Sequence, residues 1–156
     1  MKANQRVIEI LNQLLTNELT AINQYFIHAR MCANWGYGRM ASHVRAESID
    51  EMKHADEVIG RILFLEGVPN LQRLGKINVG ETVPEQLALD LALEYEATKF
   101  LNAAAEEVRA LGDHGTFDLL TRILRGEEEH IDWLETQRGL LKDLGEAHYL
   151  AQQIHT

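Results

Sequence analysis

A Glu and a His three residues apart occur twice in this chain, as Glu51-Met52-Lys53-His54 and as Glu127-Glu128-Glu129-His130. Helical spacing puts each such pair on one face, about a turn apart, where both side chains can reach one metal ion. The copies are 76 residues apart, and stepping back 33 residues from each Glu lands on another Glu, Glu18 and Glu94. The pattern is therefore Glu-x32-Glu-x2-His in duplicate. It assembles four carboxylates and two imidazoles, a ligand set for a pair of ions. A single Glu-x-x-His in a chain with 24 acidic residues and seven His is an ordinary solvated helix face. Two copies with matched upstream Glu residues are far harder to reach by chance.

The length of 156 residues suits one domain, residues 1–156, large enough for a full core. Pro69 and Pro84 are the two prolines, so helix breakers are absent elsewhere, and the Leu, Ala, Glu and Arg content favours helix. A formal charge of −9 disfavours nucleic acid and suits cations. Cys32 is alone, which rules out an internal disulfide or a multi-Cys metal site and fits a reducing compartment. Asn4, Arg6, Glu9 and Asn12 interrupt the first 15 residues, so neither a signal peptide nor a membrane span is expected there. The expected location is the cytoplasm.

Four long helices are predicted. The first runs from about Asn4 to Asn34, with Val7, Leu11, Leu14, Ile22 and Tyr25 inward and Glu18 among them. Gly36-Tyr37-Gly38 makes the turn. The second runs from about Arg39 to Leu65, its inner stripe reading Met40, Val44, Glu47, Glu51, His54, Val58, Ile62. Thr82-Val83-Pro84-Glu85 reads as an N-cap with Pro in the first turn and Glu three after the cap, starting a third helix with Glu94 mid-stripe. After Gly112-Asp113-His114-Gly115 the fourth extends from about Thr116 to Leu144. Glu146 to Thr156 make a short fifth helix or a tail. The segment 67–81 has no helical pattern; its 15 residues can span at most about 50 Å, enough to run the ~39 Å length of a helix and set helices 2 and 3 parallel. From Glu18 to Tyr37 is 19 residues and from Tyr37 to Glu51 is 14, and Glu94, Asp113 and Glu127 repeat both numbers. Two similar hairpins thus bring all four Glu residues to comparable depth.

Ionised carboxylates at that depth are prohibitively costly unless cations cancel them. The same stripes hold no Lys or Arg at these levels, so a salt-bridge network lacks its partners. Carboxylate with imidazole suits iron, manganese or zinc.

The chain resembles the bacterioferritins over essentially its whole length. The residues that carry the likeness are Glu18, Glu51-Met52-Lys53-His54, Glu94 and Arg125-Gly126-Glu127-Glu128-Glu129-His130. The second His ligand, His130, separates this branch from ordinary ferritins. The resemblance implies an all-α ferritin-like four-helix bundle with one long crossover and a short C-terminal helix, assembled as a hollow shell of 24 subunits. It implies iron storage with a ferroxidase di-iron centre at Glu18, Glu51, His54, Glu94, Glu127 and His130, oxidising Fe(II) with dioxygen or peroxide. It also implies haem b between two subunits, held by a Met from each; Met52 matches that position. A small ferredoxin-type reductase is a candidate partner for iron release.

Other residues are less determined by sequence. Tyr25, seven after Glu18, is either a hydrogen-bonding neighbour of the site or a plain buried Tyr. Asp50 and Glu47 are solvated acids or residues that pass iron on. Some bacterioferritins have a His where this chain has Ala46, which puts an inner-surface iron site in doubt. Trp35 and Trp133 read as packing or interface residues, and Glu128 and Glu129 as solvated. His28, His43, His114, His148 and His155 show no partner spacing. Two competing functions remain open: a non-storage di-metal oxidase or peroxide scavenger, and a haem-binding dimer that transfers electrons.

Overall fold

The computed structural model describes residues 1–155, so Thr156, included in the expected tail, lies outside the described residues. Five helices follow one another: α1 (Gln5–Asn34), α2 (Gly38–Phe64), α3 (Val83–Ala110), α4 (His114–Leu144) and α5 (Glu146–Ala151). Among the described residues there is no strand. The all-α bundle with a short fifth helix is as the sequence leads one to expect. Helix α4 starts two residues before the expected Thr116. The Asp113 carboxylate accepts the Thr116 N–H and so caps the helix from within the turn. Thr82 caps α3 as its sequence indicates, its hydroxyl accepting the Glu85 N–H. Gly36 and Gly112, the repeated turn glycines, both take positive φ, +92° and +80°, where a side chain would be strained.

Helices α1 and α2 form one hairpin and α3 and α4 the other. The direction of the second hairpin is set by the crossover, whose backbone climbs α1 in step. Val68 and Asn70 bond Asn12, Gly75 donates to Thr20, Asn78 to Gln24, and Gly80 to His28. From residue 12 to 28 the helix rises ~24 Å, which residues 70 to 80 cover at ~2.4 Å each, within reach of extended chain. Helix α3 therefore begins beside the end of α1 and runs antiparallel to it, so α2 and α3 are parallel.

One residue that sequence reading set aside proves central here. His28 is fully buried, its Nδ1 2.9 Å from Asp90 Oδ1 and its Nε2 accepting the Gly80 N–H at 3.0 Å. Because Nε2 accepts, Nδ1 carries the proton and donates to Asp90. Gln24 joins them, donating to Asp90 and accepting from Asn78. The crossover is thus pinned by side chains reaching out of the bundle.

The hydrophobic core comes in two pieces. One holds Leu11, Leu15, Val58, Ile62, Leu101, Val108 and Leu120; the other holds Tyr25, Met40, Val44, Leu87, Leu91, Leu134 and Tyr149. A polar layer lies between them at mid-height.

Replacing His28 with Ala takes one of its two donors from Asp90, leaving Gln24, orphans the Gly80 N–H and leaves a cavity. A loss of ~2–4 kcal/mol is expected, with amide exchange over residues 78–82 accelerated well before global unfolding. Unchanged exchange there would show that the crossover is held by other contacts.

Candidate metal centre

Each helix of the bundle contributes to the polar layer at the point where its apolar stripe is interrupted. Glu18 follows Leu15, Glu51 and His54 precede Ala55, Glu94 follows Leu91, and Glu127 and His130 lie between Ile123 and Leu134. The four carboxylates and His130 are buried and His54 nearly so. They converge in two overlapping groups, Glu18, Glu51, His54 and Glu127, and Glu51, Glu94, Glu127 and His130. Within each group one atom per residue lies within 4.8 Å of all the others, and Glu51 and Glu127 belong to both.

Seven buried side-chain N or O atoms among the described residues lack a hydrogen-bond partner. Six of them are one atom from each of these residues: Glu18 Oε2, Glu51 Oε1, His54 Nδ1, Glu94 Oε2, Glu127 Oε1 and His130 Nδ1. Buried polar atoms are otherwise paired almost without exception. These nonetheless crowd together: His54 Nδ1 is 3.1 Å from Glu127 Oε1, 3.4 Å from Glu51 Oε1 and 3.7 Å from Glu18 Oε2, and His130 Nδ1 is 3.4 Å from Glu51 Oε1 and 3.5 Å from the other oxygen of Glu94, Oε1. Two ligand atoms 2.0–2.2 Å from one ion, at 90–110° to each other, stand about 2.8–3.6 Å apart. The spacings are those of ligands around cations, and the donor set fits them.

The electrostatics of the metal-free layer point the same way. Burial, reinforced by Glu18, Glu127 and Glu94, pushes the Glu51 carboxyl well above its ordinary range. Burial and Glu127 push Glu94 up to about 8. Burial alone would lower the two His, but hydrogen bonding and charge from Glu127 and Glu18 hold His54 at about 10. Glu94, Glu47 and Glu127 do the same for His130, also about 10. The layer retains protons because it has nothing else positive to hold.

Several neighbours position the six. Tyr25 OH donates to Glu94, and its ring stands edge-on to His130, so the hydrogen-bonding alternative for this Tyr is the correct one. Asp50 Oδ2 lies 3.3 Å from His130 Nε2. A Cβ at Gly126 would sit 3.0 Å from His54 Cε1, so only Gly admits that ring without displacement. Glu47 is buried rather than solvated, and its carboxylate meets His43, whose i,i+4 spacing to Glu47 was a legible signal that sequence reading passed over. Trp133 is half-buried and stacks on His43, while Trp35 is the C-cap of α1. Glu128 and Glu129 face solvent, as their angular offset requires. Met52 is not brought to this layer; it lies on the surface.

Two pockets approach the layer from opposite sides. One of about 380 Å³ reaches Glu18 and Glu51 between α1, α3 and the crossover, past Asn17, Lys76 and Glu96. The other, about 270 Å³, reaches His54 and His130 between α2 and α4, past Asp50 and Glu129.

Residues 8–144 match the model of the ferritin-like domain family. The chain is 49% identical over 152 residues to a bacterioferritin of Mycobacterium bovis, an alignment covering 97% of this chain and 96% of the relative. The chain belongs to the bacterioferritin family. Its likeness to other bacterioferritins is similarly complete: 46% identity with that of Streptomyces coelicolor, over 99% of this chain and 92% of the relative, and 46% with that of Brucella melitensis, over 96% and 92%. No helix among the described residues is long and apolar enough to cross a membrane.

The raised groups fix a pH dependence for this bacterioferritin-family chain when stripped of metal. Glu94, up from 4.5 to about 8, favours the folded state fully below 4.5, and the benefit is lost as pH rises through 8. His54 and His130, up from 6.5 to about 10, favour it fully below 6.5 and lose that benefit towards 10. Both effects have one sign, so the melting temperature of chelator-treated protein should fall from pH 6 to pH 9. A flat profile would mean that these groups carry no extra protons in the fold.

Proposed function

We propose that the chain is the subunit of an iron-storage shell and that its buried layer is a ferroxidase centre whose substrate is Fe(II). The observation that carries this reading is the set of six unpartnered atoms, one from each residue, meeting at mid-bundle. Glu51 and Glu127, shared by both groups, bridge two ions; Glu18 and His54 complete one position, Glu94 and His130 the other. Family membership supports the coarser statement, iron storage.

A pair of Fe(II) ions supplies two electrons, enough to reduce one dioxygen to hydrogen peroxide or one peroxide to two waters. The chain's own residues do the rest. The carboxylates and imidazoles give up their protons as cations arrive, because ligand atoms must be deprotonated. Tyr25 holds Glu94 in place by donating to it, and Asp50 orients His130 through its far nitrogen. The two core pieces close the layer above and below and leave the two lateral pockets as its approaches. Burial favours the neutral sum of four carboxylates with two divalent ions over any partly filled state.

Glu94→Ala removes a ligand from one position only. The rapid phase of Fe(II) oxidation should slow by at least about tenfold, the lower end of what loss of even an outer-shell partner costs a metal site, while the assembly stays intact on sizing. Unchanged rapid oxidation would refute the assignment. Sizing after aerobic Fe(II) addition tests storage separately: a large particle retaining hundreds of irons is expected, and a small iron-poor species would leave only an oxidase.

Haem is the second group implied by the family, and the surface of α2 fits it. Met52 is 55% exposed, with Phe26 at 48% and Ile49 at 41% also open. The Arg45 guanidinium sits 5.9 Å over the Phe26 ring. A soft thioether in an apolar patch suits haem iron, and because this patch offers one thioether, a second copy across a twofold axis would supply the other. Haem b held there would give the shell an electron carrier, and Met52 from each of two subunits would hold it. Met52→Leu should abolish haem absorbance while sparing assembly and Fe(II) oxidation. Full haem content in that variant would place the ligand elsewhere.

A further inference from the structure

The seventh unpartnered buried atom is Oε2 of Glu47, which the centre does not use. The Glu47 side chain is 4% exposed. Its other oxygen, Oε1, lies 2.9 Å from Nε2 of His43, one helical turn earlier on α2. His43 is 40% exposed and stacks on the Trp133 indole, ring centres 3.7 Å apart and planes 13° apart. His43 and Trp133 both line a pocket of about 510 Å³ between the start of α2, the second half of α4 and α5, together with Ser42 and Gln137. Looking inward, Glu47 lies one helical turn before Glu51 on the buried face of α2. The pair thus connects a solvent pocket on one side with the buried layer on the other.

A hydrogen bond to His43 accounts for one oxygen of Glu47 and leaves the second without a partner. One atom of each of the six residues in the buried layer is in the same condition. Moreover, two atoms each ~2.05 Å from one ion at right angles are ~2.9 Å apart, which is the separation of Glu47 Oε1 and His43 Nε2. We propose that His43 and Glu47 form a third divalent-cation site, a way-station through which hydrated Fe(II) passes between the surface pocket and the buried centre. The proposal rests on the reading of the six residues as that centre.

The chemistry suits passage rather than storage. Carboxylate with imidazole is the donor set of the centre itself, so an ion meets no change of preference on moving between them. Two protein ligands leave the remaining positions to water, and the ion is held loosely. Trp133 fixes the His43 ring plane by stacking and keeps Nε2 on Glu47. Nothing comparable can form at the same place in the other hairpin, where the residues 76 positions on are Leu119 and Ile123.

Zn(II) is the probe that tests this without turnover. Crystals of the intact assembly, stripped and then soaked in Zn(II), should show three anomalous peaks per chain. Two belong to the centre, and the third should lie about 2.0–2.2 Å from His43 Nε2 and a Glu47 oxygen. His43→Ala and Glu47→Gln should each lose only the third peak, and calorimetric stoichiometry should fall from three Zn(II) per chain to two. His43 is partly exposed, so its variant folds even if the Glu47 variant does not. Two peaks in the unaltered protein, or a third peak that persists in both variants, would overturn the proposal. An empty centre beside an occupied His43–Glu47 pair would instead remove the ferroxidase reading, and with it the role of way-station, leaving a separate cation site.

Discussion

Four carboxylates buried at one height in a helical bundle dictate what lies around them. No hydrophobic core can continue through such a layer, so the apolar side chains divide into one cluster on each side. Both clusters are needed, because each alone would leave half of every long helix without a buried face. Mutual repulsion among Glu18, Glu51, Glu94 and Glu127 opposes the fold that the two clusters favour. Protons held by Glu51, Glu94 and the two His relieve that repulsion in the stripped protein. Cations relieve it more completely.

The crossover sets the direction of the second hairpin. Residues 65–82 travel the bundle's length, so the second hairpin begins at the far end of the first. A strand-like segment lying alone on a helix has no ladder to satisfy its backbone groups. Thr20, Gln24 and His28 supply the missing partners from α1, and Asp90 on α3 locks His28 and Gln24 in place. Thr20, Gln24 and His28 stand about 200–280° round α1 from Glu18, so α1 gives one face to the crossover and another to the polar layer.

Much of this was legible in the chain. The helix limits, the Thr82 cap, the length of segment 67–81, the six converging residues and the outward turn of Glu128 and Glu129 all follow from spacing alone. What escaped depends on partners remote in sequence. His28 reads as an isolated His because Asp90 is 62 residues away and Gly80 offers only a backbone N–H. Asp90 does precede Glu94 by one turn, so its inward placement could have been inferred, though not its purpose. The close approach of Gly126 to His54 could not, since a missing Cβ leaves no mark on periodicity. His43 is a different case: its Glu47 partner stands four residues away, one helical turn along the same helix.

The 76-residue repeat describes two hairpins of one design, yet the copies are unlike wherever the ligands are supported. Asp50 backs His130; its counterpart beside His54 is Gly126. Tyr25 donates to Glu94; its counterpart is Leu101. Glu47 is matched by Ile123 and His28 by Ala104. Duplication supplies the twin ligand sets, and divergence has given one of them all the polar support. The centre consequently has a handedness. A cation bound beside His130 would meet Asp50 and the Tyr25 phenol close to its ligands, whereas one beside His54 would face Gly126 and two open pockets.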